Sequence, residues 1–422
     1  MSAHIMSTRL GSVAASLDEL GRIGGRPDGG VTRVAWSPEL FEAYAWIGDR
    51  LRELGLDVEI DAAGNLLAKW DTGSRTPVVV GSHLDTVPSG GRFDGALGVV
   101  AALHAVHVMK AEGFEPERPL WVVAFMDEEG TRFNSALFGS RAFSGEDVTG
   151  LGARADLTGV TLREAMSAAG YELERAGEAA RAAEVGAYLE LHIEQGPVLE
   201  SEGVEIGLVT SIVGLRGYRV RLAGEANHAG TTPMRLRRDA LAGAARIALE
   251  LREVARARKA VTANVGKLTI SPGGANVVPG RADFTIDIRA TTPAGMAELE
   301  ELVEEIVARI AAEEGLEVEL EQTFTLEPLE LDASLVDLVE RAAVAEGASL
   351  LRMPSGAGHD AMLVGRRAPA AMVFVPSRGG VSHSPDEYSS PEHVELGVRV
   401  LTSALRELLG KGSKVIHARR RR

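Results

Sequence analysis

The sequence predicts an α/β fold, in which a mostly parallel sheet is covered by helices and interrupted by a smaller, separately patterned unit. Three observations point there. Short apolar, β-branched runs at 76–80 and 120–125, and a further strand at 187–193, alternate with helical stretches. Between 216 and 325 the pattern changes to alternating strands and two long helices. A wholly apolar run then returns at 370–375, so the middle stretch reads as an insertion.

The elements follow in order. A first helix starts with Ser37 as N-cap and Pro38 at N1, where the missing N–H is tolerated, and stops at Gly55. Strands at 76–80, 120–125 and 187–193 surround a helix at 95–109. In the insertion, 216–222 alternates as a strand and 234–255 is an Ala/Leu/Arg-rich helix. Strands at 262–270 and 282–288, a helix at 293–312 and a charged strand at 316–325 complete it. This β-α-β-β-α-β order is that of the split ferredoxin-like unit. A helix at 333–346, the strand 370–375 and a closing helix at 391–409 return to the first pattern. The expected domains are thus 1–213 with 329–412, an insertion at 214–328, and a tail at 413–422.

A chain of 422 residues is long enough for two domains. The net charge of −15 argues against a nucleic-acid partner, because phosphate binding needs clustered Lys and Arg. A small anionic substrate remains compatible, since one local Arg outweighs a distant field. With no cysteine, disulfides and thiolate ligands are excluded, and a transition-metal site must use His, Asp and Glu. No apolar run approaches the roughly 20 residues that span a bilayer. The first residues lack the apolar core of a signal peptide, so the cytoplasm is the expected compartment. The five residues ahead of Met6 and the basic end HARRRR carry no functional weight.

Three segments share one layout: an apolar strand runs into polar residues at its C-terminal end, where ligands collect in open α/β sheets. In VVVGSHLDTVPSGGRFDG (78–95), His83 follows the strand and Asp94 follows a Gly-rich loop; a loop His and a capping Asp fit equally. In LWVVAFMDEEGTRF (120–133), Asp127, Glu128 and Glu129 crowd together and repel unless a cation compensates, or else form a solvated loop. One such carboxylate can bind metal while its neighbour moves protons. In AYLELHIEQGPVLE (187–200), period 2 puts Glu190, His192 and Glu194 on one face, although a lone strand His is often structural. A fourth segment, MVFVPSRGGVSHSPDEYS (372–389), places His383 after another buried strand. Together these supply three His, one Asp and one Glu, the donor set of zinc or manganese pairs. His104 and His107, at i and i+3 without acidic partners, read as helix packing; His4 and His417 belong to the ends.

GSHLDTVPSGGRFDGALGV, FMDEEGTRF, LELHIEQGPVLE, GEANHAGTTPM, SGAGHDAM and FVPSRGGVSHSPDE occur in this order. The set resembles the amidase/hydantoinase/carbamoylase family of dinuclear metallohydrolases over essentially residues 10–410. That family includes N-carbamoyl-L-amino-acid hydrolases, β-ureidopropionases of one lineage and allantoate amidohydrolases. The resemblance implies a metallopeptidase-like catalytic domain with an inserted lid and dimerisation domain. It also implies two divalent ions per chain, zinc first, with manganese, cobalt and nickel suited to the same donors.

By the same resemblance, Asp94 bridges the ions, His83 and His192 hold the first, and Glu129 and His383 hold the second. Glu128 corresponds to the general base. His228 polarises the substrate carbonyl, in the family usually from the neighbouring subunit, so a homodimer is implied. Asn276 and Arg289 hold a substrate carboxylate, and Gln195 is a further contact. Arg289 also shares a strand face with Asp287, and pairing with it alone is the competing reading; Asn276 also fits an ordinary turn.

The expected reaction is hydrolysis of the carbamoyl C–N bond of an N-carbamoyl-L-amino acid. Allantoate amidohydrolysis is the alternative, since both substrates carry a carboxylate. A non-catalytic metal-binding homologue is a third reading, disfavoured because Glu128 and every ligand position are filled. The expected partners are a small carboxylate-bearing substrate and a second copy of the chain.

Overall fold

A computed structural model describes residues 10–73 and 76–410. His4, His417, the basic end and the expected tail lie outside the described residues. Residues up to Thr210 and from Leu331 onward form one unit, and Ser211–Glu330 forms a second. The expected insertion limits, 214–328, fall inside that second unit.

In chain order, the strands begin with β1 (Asp57–Ile60), β2 (Leu66–Trp70), β3 (Val78–His83), β4 (Leu120–Phe125), β5 (Ala187–Ile193) and β6 (Ile206–Ile212). The second unit continues with β7 (Gly214–Ala223), β8 (Asn227–His228), β9 (Val261–Ser271), β10 (Val277–Val278), β11 (Arg281–Ala290) and β12 (Glu317–Leu326). Last come β13 (Leu329–Glu330), β14 (Leu350–Ser355) and β15 (Ala370–Val375).

Apolar runs form the centre of the first sheet because they are covered on both faces. Of β3, β4, β5 and β15, only Trp121 is not fully buried. These four lie in the order β4-β3-β5-β15 and all run parallel. β1 and β2 extend one edge antiparallel, and β6 extends the other. β13 and β14 join β6. The sheet is therefore mixed with a parallel centre. Its edge strands are short and half-polar; β1 reads DVEI, an alternation only four residues long and so a weak signal in the sequence.

Three helices frame the centre: α1 (Val13–Leu20), α2 (Pro38–Glu53) and α3 (Ala96–Ala111). Ser37 caps α2, its hydroxyl accepting from Leu40 N at 3.3 Å. α3 is apolar on nearly every side because it packs between β3, β5, α1 and the closing helix Pro391–Leu409. Each such buried Val or Leu contributes roughly 1.5–3 kcal/mol. His104 on α3 is buried and meets the Ser16 hydroxyl on α1 at 2.9 Å, a packing role.

In the second unit, four strands pair antiparallel in the order β12-β7-β11-β9, the ferredoxin-like order. Helices Ala240–Arg256 and Pro293–Glu313 cover one face, burying Val220, Leu222, Ile247, Phe284, Val303 and Ile306. The long helix expected at 234–255 is shorter. Met234–Leu236 is a single 3₁₀ turn, and the helix starts at Ala240, where Asp239 accepts from Leu241 and Ala242 N. The Asp side chain satisfies the first free N–H groups and so sets the start. Among the described residues no helix is long and apolar enough to cross a membrane.

Candidate metal centre

Parallel pairing brings the strand ends level. His83 at the end of β3 is in register with Phe125 at the end of β4, and His192 on β5 with Phe374 on β15. The polar residues that follow all four strands therefore gather at one sheet edge.

There, donor atoms of His83, Asp94 and His192 lie within 4.8 Å of one another, as do those of Asp94, Glu129 and His383. Asp94 belongs to both groups. Its Oδ1 is 3.2 Å from His192 Nε2 and 3.6 Å from His83 Nε2, and its Oδ2 is 3.4 Å from His383 Nε2. Glu129 Oε2 is 3.5 Å from the same His383 nitrogen. Glu128 Oε2 stands 3.6 Å from His83 Nε2. Each strand imidazole is oriented by a carbonyl: His83 Nδ1 meets Asp85 O at 3.0 Å, and His192 Nδ1 meets Ile193 O at 2.9 Å. Those carbonyls require the ring proton on Nδ1, which turns the Nε2 lone pairs toward Asp94.

The backbone here is unusual. Asp127, Gln195 and His383 have φ of 57°, 57° and 54°, left-handed values that non-glycine residues adopt only at a cost. Gly95 has φ 63°, and a Cβ there would lie 2.4 Å from the His83 ring, so only glycine lets α3 start directly beneath the imidazole.

Charge follows the same crowding. Burial, helped by neighbouring acids, pushes Glu128 well above the usual carboxylate range and Glu129 to about 7. Asp94 is also buried, yet the His192, His383 and His83 rings that face it hold it well below that range. A buried edge so rich in carboxylates, with three imidazole lone pairs and no thiol, fits divalent cations of hard or borderline character.

Gln195, the further contact implied by resemblance, donates from Nε2 to Asp94 Oδ2 at 2.7 Å, while its Oε1 is buried without a partner. The other three substrate candidates belong to the second unit. His228 on β8 is exposed, and its Nδ1 accepts from Gly230 N at 3.0 Å and Thr231 N at 3.2 Å, which leaves Nε2 as the outward donor. β8 pairs with β10, so His228 sits opposite Val277, next to Asn276, whose carbonyl accepts from Ala229 N. Arg289 Nε donates to Asp287 at 2.9 Å, so the intrastrand pair is formed.

Asp85 and His359 at this edge went unread in the sequence, and Glu190 was read only as sharing the His192 face. Asp85 accepts the peptide N–H groups of Glu128 at 3.2 Å and Glu129 at 3.1 Å. Glu190 is fully buried, accepting from Ser82, Tyr188 and Ala361 N. His359 packs edge-on to His192, ring centres 4.6 Å apart, and meets Ser355 Oγ at 2.9 Å. The two-residue spacing of His83 and Asp85, and the shared strand face of Glu190 and His192, were the available signals.

A parallel-centred α/β sheet with such a donor set at its C-terminal edge defines a metal-dependent hydrolase. The peptidase family M20/M25/M40 profile matches residues 79–407, and the chain belongs to that family. It is 40% identical to an N-carbamoyl-L-amino-acid amidohydrolase of Paenarthrobacter aurescens, over 90% of this chain and 93% of that one. It is 39% identical to an allantoate amidohydrolase of Bacillus subtilis (strain 168), over 94% and 97%. A solved structure of a hydantoinase/carbamoylase family amidase from Burkholderia multivorans superposes with a TM-score of 0.87 at 39% identity, covering 93% and 96%. The chain is thus a hydrolase of C–N bonds on the amidohydrolase side of its family.

Proposed function

We propose that the chain is a two-ion amidohydrolase that cleaves the carbamoyl C–N bond of N-carbamoyl-L-amino acids. The observation that carries the two-ion reading is the sharing of one carboxylate, Asp94, between two donor groups. His83, Asp94 and His192 would hold one divalent ion, and Asp94, Glu129 and His383 the other, zinc first and manganese, cobalt or nickel as alternatives. Bound there, such ions lower the pKa of water and draw charge from a carbonyl oxygen.

The chain supplies the rest. Glu128 accepts a proton from the attacking water and returns it to the departing nitrogen. Its place beside His83 supports that role. His228 donates from Nε2 to the carbonyl oxygen as charge builds there, a role supported by its Nδ1 being fixed by two backbone N–H groups. Arg289 and Asn276 bind the substrate carboxylate, and the buried, unpartnered Oε1 of Gln195 awaits a substrate N–H. The site is shared within a homodimer.

A second reading, allantoate as substrate, is supported by the Bacillus subtilis relative. Ammonia release decides between them. The metal-loaded enzyme should turn over N-carbamoyl-L-amino acids with a higher kcat/KM than allantoate. The reverse order would assign the chain to allantoate.

A further inference from the structure

We infer that Glu387 is a positioning residue that holds the Asp94 loop and the His383 loop in one fixed relation. The inference rests on the two-ion reading above. Glu387 is 5% exposed, and both carboxylate oxygens are engaged. Oε1 accepts the peptide N–H groups of Phe93 at 3.0 Å and Asp94 at 3.1 Å. Oε2 accepts from the Ser382 hydroxyl at 2.9 Å, and the same hydroxyl is 3.0 Å from Asp94 Oδ2. One side chain thus grips the backbone of the shared carboxylate and the residue next to His383, across 293 positions of sequence.

The surroundings are built for this grip. Glu387 N donates to Ser384 O at 3.1 Å, closing a turn that brings the carboxylate back beneath His383. A Cβ at Gly91 would lie 1.9 Å from Glu387 Oε1, so the acid fills space that only glycine leaves. The Phe93 and Tyr388 rings meet edge-on at 6.1 Å, next to the grip on both loops. The Val31–Gly90 pair ties the loop ahead of Asp94, and Gly95 N, donating to His192 Nε2 at 3.1 Å, ties it just after. Loss of a group that orients metal ligands in this way typically weakens metal binding about 10- to 100-fold.

Length and acceptor geometry should therefore count for more than charge. Glu387→Gln keeps the reach and an Oε1 acceptor, whereas Glu387→Asp keeps the charge and falls one methylene short. Metal-free protein is titrated with Mn²⁺ followed by electron paramagnetic resonance, and with Zn²⁺ against a chromophoric chelator. Circular dichroism checks folding. One of the two ions should bind about 10- to 100-fold more weakly to Glu387→Asp, while Glu387→Gln stays close to the wild type. Glu387→Ala, if it folds, should behave like Glu387→Asp. Two ions bound to Glu387→Asp as tightly as to the wild type would overturn the inference. A wild type that binds fewer than two ions overturns the two-ion reading itself, and this is seen in the wild type alone.

Discussion

Glu128 is held at both ends: its peptide N–H is fixed by Asp85, and its carboxylate stands 3.6 Å from His83 Nε2. It sits beside the candidate ligand Glu129 without belonging to either donor group. Glu128→Gln should therefore keep the metal content and lower kcat by about 100- to 10,000-fold. Full turnover with both ions bound would remove Glu128 from the mechanism. Gly95 makes a different test, because a methyl group there meets the His83 ring. Gly95→Ala should weaken metal binding at least about tenfold in chelator competition. Unchanged affinity would mean that the imidazole has room to move.

Between elements, the contact of α1 with α3 carries a titrating group. Burial, with a smaller contribution from His107, lowers His104 to about 4. The unfolded chain binds that proton near 6.5 and the folded chain only near 4, so the unfolded state holds more protons in between. Stability from this contact is complete above about pH 6.5 and is lost as the pH falls toward 4. His104→Gln removes the component. The stability gap between wild type and variant in urea unfolding should shrink by on the order of 2 kcal/mol from pH 7 to pH 4.5. A gap that does not change with pH would show that the buried ring takes up its proton without cost.

At the scale of the molecule, the sheet edge concentrates buried Asp85, Asp94, Glu190 and Glu387 with half-buried Glu128 and Glu129, a charge excess that bound cations relieve. Chelation should abolish activity and lower the unfolding temperature, and added Zn²⁺ or Mn²⁺ should restore both. Each site at 100-fold excess over its Kd contributes about 2.7 kcal/mol. Identical melting with and without chelator would exclude a bound ion. If the proposed dimer shares its sites, inactive His228→Ala and inactive Glu128→Gln proteins should regain activity on subunit exchange. No recovery despite proven exchange would confine each site to one chain.

The pattern of the sequence reached far into this protein. Runs buried on both faces, such as 120–125 and 370–375, mark strands directly, because a strand covered by helices on both sides has no polar period. Ser37–Pro38 marks a helix start because capping is local chemistry. His83, His192, His383 and the acids at 127–129 stand out because the ends of buried strands are poor places for charge without a partner, whereas Asp94, and Glu129 among its neighbours, are singled out by the family resemblance. The edge strands and the break before Ala240 were less legible, because neighbours and a single cap decide them.

Only the tertiary structure decided which acids support which ligands. Asp85 under Glu128, Ser82 against Glu190 and Glu387 across to Asp94 are contacts between distant parts of the chain. The physical reason is one of range: periodicity and capping act over a few residues and are written locally, whereas a carboxylate finds its hydrogen-bond donors only after the parallel strands have brought their ends together.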